Sequence, residues 1–146
     1  MKSALRHSRQ TILVVDDDKS VFGVLSRILA EDGYATIWAE NGRRALAVAA
    51  SAKPDLIILD LRLPDGCGLD VMGELKRVCK DVPIVILTGF GSRDTARSAM
   101  EAGVFDYLTK PFKSRDLRAI VRNALEAGRV LTGSVEGDYG QSQRRL

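Results

Sequence analysis

One histidine, His7, is all that 146 residues provide, and it stands in a polar leader. A catalytic triad built on His, or a phosphohistidine carried by this chain, therefore lacks its material. Cysteine is almost as scarce: Cys67 and Cys79 are twelve residues apart with no histidine near them. That is neither a zinc pattern nor a disulfide framework, so both are expected as ordinary reduced thiols. No apolar run approaches the ~20 residues that a membrane-spanning helix needs. Met1 to Thr11 holds charge but no apolar h-region, which argues against a secretory signal and makes the cytoplasm the expected location. A broad basic face is missing too. The net charge of +3 equals the contribution of Lys2, Arg6 and Arg9, while Glu136 and Asp138 offset Arg144 and Arg145. The neutral middle gives no footprint for nucleic acid, and the leader reads as a solvated arm.

What the chain does have is 45% hydrophobic and 28% charged residues, the balance of one globular domain. Four short apolar runs each stop at a residue able to handle phosphate or metal. Ile12-Leu13-Val14-Val15 ends in Asp16-Asp17-Asp18, and Leu56-Ile57-Ile58-Leu59 ends in Asp60. Ile84-Val85-Ile86-Leu87 ends in Thr88, and Phe105-Asp106-Tyr107-Leu108 passes through Thr109 to Lys110. Tyr34 to Ala39 gives a further strand. Between the strands, apolar residues recur at helical spacing: Val21, Val24, Leu25, Ile28 and Leu29; Ala45, Leu46, Val48 and Ala49; Leu69, Met72, Leu75 and Val78. Ser92 and Ser114 are the expected caps of two more helices, the last burying Leu117, Ile120, Val121, Ala124 and Leu125. Gly33 and Gly103 are the expected stops after two helices, and Pro54 the stop after another.

Five strands alternating with five helices predict an α/β protein with a doubly wound parallel sheet. Solid apolar runs are what strands buried on both faces require. A leader over 1–10, a domain over 11–130 and a flexible tail or linker stub over 131–146 complete the organisation, the last being rich in Gly, Ser, Gln and charge.

With strand order 2-1-3-4-5, the first and third strands are neighbours about 4.8 Å apart. Asp16, Asp17 and Asp60 then meet at the carboxyl edge, where ligands bind in open α/β sheets. Ionised carboxylates at that spacing repel unless one protonates or a cation joins them. Oxygen-only donors suit Mg²⁺ or Mn²⁺. Asp18, just before Lys19, reads instead as a helix cap. Asp60 is the candidate nucleophile, since a carboxylate beside a divalent cation can form an acyl phosphate. Lys110 supplies a positive charge and Thr88 a hydrogen bond to the transferred group.

The segments VVDDD, LDLRLPDGCGL, LTGFG and DYLTKPF together resemble the receiver domain of two-component response regulators, over about residues 11–128. The resemblance implies a flavodoxin-like fold. It implies phosphorylation of Asp60 from a phosphohistidine on a sensor histidine kinase or phosphotransfer protein. It also implies Mg²⁺ at Asp16 and Asp17, with Asp17 the direct ligand and the Arg62 backbone carbonyl completing the shell. Thr88 and Tyr107 match the residues that couple phosphate to a distant surface, Lys110 the phosphate-binding lysine, and Lys110-Pro111 a peptide usually cis in this family. Phosphorylation would draw Thr88 toward the new oxygens and let Tyr107 turn inward. That would alter the surface of the fourth helix, fifth strand and fifth helix, for binding a downstream output protein or domain, or for forming a homodimer. Such a domain catalyses only its own phosphorylation and dephosphorylation and is not counted as an enzyme. The resemblance also implies that long Arg62 and bulky Phe90 flank the site, from which slow loss of the phosphoryl group is expected. Neither nucleic acid nor membrane is an expected direct partner.

Other readings meet obstacles. A dehalogenase-like phosphatase needs a second acid two residues after its nucleophile, and Arg62 occupies that place without the means of proton transfer. A flavodoxin-like electron carrier would set three aspartates against the flavin phosphate. A receiver-like interaction module that phosphate does not switch, and an N-terminal module of a transcription regulator, both stay open.

Overall fold

The computed structural model describes residues 9–89 and 93–133. Five strands form one parallel sheet: β1 (Thr11–Val15), β2 (Ala35–Ala39), β3 (Leu56–Leu59), β4 (Ile84–Thr88) and β5 (Asp106–Thr109), in the order β2-β1-β3-β4-β5. Five helices alternate with them: α1 (Lys19–Glu31), α2 (Gly42–Ala52), α3 (Gly68–Val78), α4 (Arg93–Glu101) and α5 (Ser114–Gly133). This is the doubly wound α/β architecture expected from the sequence. The chain moves outward from β1 to β2 and then returns to β3 on the other side, so the order reverses between β1 and β3. Connections on opposite faces diverge there and open a crevice at the carboxyl edge.

The two-residue period of a strand divides the apolar runs between the faces. Leu13, Val15, Ile57, Leu59, Ile84 and Ile86 face Ala45 and Ala49 of α2, Met72 and Leu75 of α3, and Ala99 of α4. Ile12, Val14, Leu56, Ile58, Val85 and Leu87 face Leu25 and Leu29 of α1 and Leu117, Val121, Ala124 and Leu125 of α5. Both halves of each run are needed, and each fully buried Leu or Ile contributes roughly 1.5–3 kcal/mol. The edge strands β2 and β5 are only half-buried over most of their length.

Helix ends follow local chemistry. The Asp18 carboxylate accepts from the Ser20 amide (2.9 Å) and the Asn41 side chain from the Arg44 amide (2.7 Å), capping α1 and α2. Gly33 (φ +88°) and Gly103 (φ +95°) follow α1 and α4 in the left-handed region that glycine adopts without steric cost. Three details depart from expectation. Lys53, at φ 51°, ends α2, because the residue before Pro54 is kept out of the right-handed helical region. Ser114 is the first residue of α5 rather than its cap; the Lys113 carbonyl accepts from the amides of Asp116 and Leu117. Beyond the five expected strands, Arg62–Leu63 pairs with Gly66–Cys67 in a two-stranded antiparallel ribbon.

The last helix extends to Gly133, three residues past the expected boundary at 130. Most of the leader, Phe90, Ser92 and the tail beyond 133 lie outside the described residues. Among the described residues no helix is long and apolar enough to cross a membrane.

The α1 cap has a pH signature. Hydrogen bonds from the Ser20 hydroxyl and amide hold the Asp18 carboxyl below its ordinary value. A depressed carboxyl contributes stability that is complete above its unfolded value and is lost as the pH falls through the folded one. Asp18→Ser keeps an oxygen at the cap but cannot titrate. Its stability deficit against wild type, measured by urea unfolding, is expected to shrink between about pH 7 and about pH 3. A deficit of constant size would contradict the role given to the charge.

Candidate functional site

Four residues at the carboxyl edge are held by their own backbones before any side chain acts. The Asp16 amide donates to the Ala39 carbonyl (3.1 Å) and the Asp60 amide to the Val15 carbonyl (2.9 Å), extending the ladders of β1 and β3 by one step. Thr88 is the last residue of β4, and its carbonyl accepts from the Lys110 amide (3.0 Å). Lys110 follows β5 and is joined to Pro111 by a cis peptide bond, the form that the family resemblance implies.

Their side chains converge. Among the described residues the buried polar side chains are Asp16, Asp60 and Thr88, at 2%, 6% and 0% exposure. The Lys110 ammonium donates to Oδ2 of Asp16 (2.7 Å) and to Oδ2 of Asp60 (3.0 Å). The Thr88 hydroxyl donates to Oδ1 of Asp60 (2.7 Å), and the Arg62 amide donates to the same oxygen (3.0 Å). Oδ1 of Asp16 accepts from the Asp18 amide (2.9 Å). Both carboxylates are therefore paired at both oxygens, as buried acceptors must be.

The electrostatics are uneven. Burial pushes the Asp16 carboxyl above its ordinary value, and the hydrogen bond from Lys110 does not fully offset it. Burial works against the charged form of Lys110, but its hydrogen bonds to Asp16 and Asp60 outweigh that and hold it above the usual lysine value. Two buried carboxylates share one ammonium, and Asp17 adds a third negative charge beside them.

Above this group lies an open cavity of about 450 Å³, lined by Asp17, Asp60, Arg62, Thr88, Gly89 and Lys110 among others. Asp17 is exposed on its wall rather than packed onto Asp16 and Asp60, and among the described residues no three acidic, His or Cys side chains form a close metal cluster. The donor chemistry nevertheless fits a small hard cation. Carboxylate oxygens border a space open to water, the charge left over is negative, and Mg²⁺ takes few protein ligands and keeps several waters. Arg62 and Asp17 thus share the cavity with Asp60, while Asp16, Asp60, Thr88 and Lys110 form one hydrogen-bonded unit.

Tyr107, next to this unit in β5, packs against the face built by α2, α3 and α4. Its hydroxyl is buried without a hydrogen-bond partner among the described residues. Burial, and after it the charge of Asp60, pushes the phenol above its ordinary value.

Other contributors were not legible as site residues. The Trp38 indole N–H donates to the Asp16 backbone carbonyl (2.7 Å), and its ring stacks on Phe22 at 5.8 Å between centroids. The Asp65 carboxylate accepts from the amides of Gly42 (2.9 Å) and Arg43 (3.0 Å), which hold its carboxyl below the ordinary value. Gly68 must be glycine for lack of room. A Cβ there would lie 2.5 Å from the Asp60 carbonyl oxygen and 2.8 Å from Cα of Leu61, and neither backbone atom can yield alone. Gly68→Ala is therefore expected to destabilise the fold by roughly 1–3 kcal/mol, the usual cost of overpacking. Urea unfolding checks this, and an unchanged midpoint would show that the segment after Asp60 moves aside freely.

The comparisons agree on one family. The family model described as "Response regulator receiver domain" matches residues 12–122. Regulatory protein AtoC of Escherichia coli is 36% identical over 115 residues, covering 79% of this chain and 25% of that protein. The phosphate regulon transcriptional regulatory protein PhoB of Pseudomonas aeruginosa is 40% identical over 118 residues, covering 80% and 52%. The chain thus spans about a quarter to a half of these relatives. Among solved structures, a CheY-like response regulator receiver domain protein from Methanospirillum hungatei superposes with a TM-score of 0.80 at 26% identity, covering 84% of this chain and 98% of that one. The beryllofluoride-activated NtrC4 receiver domain dimer gives a TM-score of 0.77 at 34% identity, covering 81% and 98%.

Proposed function

Because the chain belongs to the response regulator receiver domain family, we propose that it is a phosphoacceptor switch of a two-component system, with Asp60 as the residue that takes the phosphoryl group. The observation that carries this reading is the hydrogen-bonded unit around Asp60. Its carboxylate meets a hydroxyl, a backbone amide and an ammonium at the floor of an open cavity. An oxygen of Asp60 attacks phosphorus and the P–N bond of a donor phosphohistidine breaks. The imidazole leaves with the bonding electrons, and the product is an acyl phosphate. Hydrolysis by water then returns the carboxylate and releases inorganic phosphate.

Transfer of this kind needs charge neutralised on the equatorial oxygens. Lys110 supplies one positive charge at the site and Thr88 one hydroxyl donor. Asp17, Asp60 and the Arg62 carbonyl, with Asp16 behind them, are the groups that would hold Mg²⁺ or Mn²⁺. When bound, that ion supplies the remaining positive charge. Arg62 on the cavity wall stands where it can hinder an attacking water, which favours a slow return to the unmodified state.

The readout passes through β5. The Thr88 hydroxyl can leave the carboxylate for a phosphoryl oxygen with little movement, since it already donates to Asp60. The Tyr107 hydroxyl has no hydrogen-bond partner among the described residues, which leaves that ring free to respond to the change beside it. The α4-β5-α5 surface would then present the signal to an output protein or domain, or to a second receiver. Dimerisation is a property that the NtrC4 structure states for its own receiver.

Intact-mass analysis after incubation with acetyl phosphate and Mg²⁺ tests the reading. Wild type is expected to gain one acid-stable, base-labile phosphoryl group, Asp60→Asn none, and a chelator-treated sample none. Lys110→Ala is expected to form the adduct roughly 10²-fold more slowly, the usual scale for loss of one charge-stabilising donor. No adduct on wild type would leave a contact module that phosphate does not switch.

A further inference from the structure

The segment after Asp60 is tied at its tip to an element that has no part in the site. Arg62 pairs with Cys67 and Leu63 with Gly66, leaving Pro64 and Asp65 as the two-residue turn of the ribbon. At the base, the Gly68 amide donates to the Leu61 carbonyl (2.7 Å). At the tip, both oxygens of Asp65 are engaged, one by the Gly42 amide and one by the Arg43 amide at the start of α2. Gly42 is buried, and a Cβ there would fall 2.5 Å from Cγ2 of Val71 and 3.3 Å from Oδ1 of Asp65. Glycine is what lets the carboxylate and α3 come this close.

The contact is not needed to start α2, because Asn41 already caps that helix through the Arg44 amide. What it constrains is the ribbon, and the ribbon contains Arg62, whose amide donates to Oδ1 of Asp60. We propose that Asp65 is a positioning residue for Asp60: by clamping the ribbon tip to α2 it fixes the Arg62 amide, and so sets how fast Asp60 gains and loses its phosphoryl group. This rests on the phosphoacceptor reading of Asp60. Asp65 is exposed, so its bonds compete with water and the effect is graded rather than absolute.

The test compares Asp65→Ala with Asn41→Ala in the full chain, since both remove a side-chain cap from the same helix end but only Asp65 reaches the ribbon. Two quantities are read: the rates of adduct formation and decay with acetyl phosphate and Mg²⁺, and the ¹H–¹⁵N resonance of the Arg62 amide without a phosphoryl donor. Asp65→Ala is expected to shift the Arg62 resonance and change at least one rate by roughly three- to tenfold, the scale of one charge-assisted hydrogen bond. Asn41→Ala is expected to lose helix stability while leaving the resonance and both rates near wild type. Asp65→Asn, which keeps one acceptor oxygen, should fall between. An unmoved Arg62 resonance with unchanged rates in Asp65→Ala, or equal effects in the two alanine variants, overturns the proposal. If wild type forms no adduct, the phosphoacceptor reading and the kinetic half of this proposal fail together. The Arg62 resonance then still decides whether Asp65 positions the segment.

Discussion

The Lys110 ammonium, shared between Asp16 and Asp60, is the interaction around which the carboxyl edge of the sheet is organised. Strand order alone would bring two largely buried carboxylates together at the floor of the cavity, and such a pair does not persist ionised without a cation. Lys110 comes from the far end of the chain, 94 residues after Asp16 and 50 after Asp60, so it reaches both only when β1, β3, β4 and β5 are in register. The site is in this sense a check on the whole sheet. It is also a cost. An acid whose folded value is raised, as burial raises Asp16, weakens the fold as pH rises through that value and relieves it in acid. Stability given up at the ligand edge is returned by the two apolar faces that cover the strands.

The same constraint explains how a local chemical change could travel. Asp60 exchanges hydrogen bonds with residues from two other strand ends and with the ribbon that follows it. New charge and new acceptor oxygens there must be answered by Thr88, Lys110 or the Arg62 amide, because no other described donor is bonded to that carboxylate. Thr88 and Tyr107 belong to adjacent strands, β4 and β5, where Thr88 pairs with Thr109 and Tyr107 with Ile86. Well-packed interiors respond to such changes by shifting between arrangements rather than by gradual deformation.

Much of this was legible in the sequence because it depends on short-range pattern. Solid apolar runs revealed strands covered on both faces, and the residue that ended each run revealed the edge chemistry of Asp16, Asp60, Thr88 and Lys110. Asp18 could be recognised as a cap from its place before a helical repeat. Other features depend on tertiary encounters that carry no local signature. Nothing near Asp65 indicates that its carboxylate meets the start of α2, and nothing near Trp38 indicates that its indole meets the Asp16 carbonyl. The ribbon after Asp60 is too short to show alternation, and Lys53 takes a left-handed conformation that composition would have assigned to glycine. Asp17 shows the opposite limit. Its position in an acidic triplet suggested a tight cluster with Asp16 and Asp60, yet the chain turns so that it stands on the exposed wall of the cavity.

The most direct test of the central interaction is a double-mutant cycle on Lys110→Met and Asp60→Asn, with unfolding free energies measured in chelator. If one ammonium binds both carboxylates, the losses do not add. Neutralising Asp60 relieves the charge that Lys110 would otherwise leave uncompensated, and the coupling should lie within the 0.5–3 kcal/mol or so seen for residues in one network. Additivity within about 0.5 kcal/mol would mean that Lys110 and Asp60 act independently, and the account of a shared buried ammonium would be wrong.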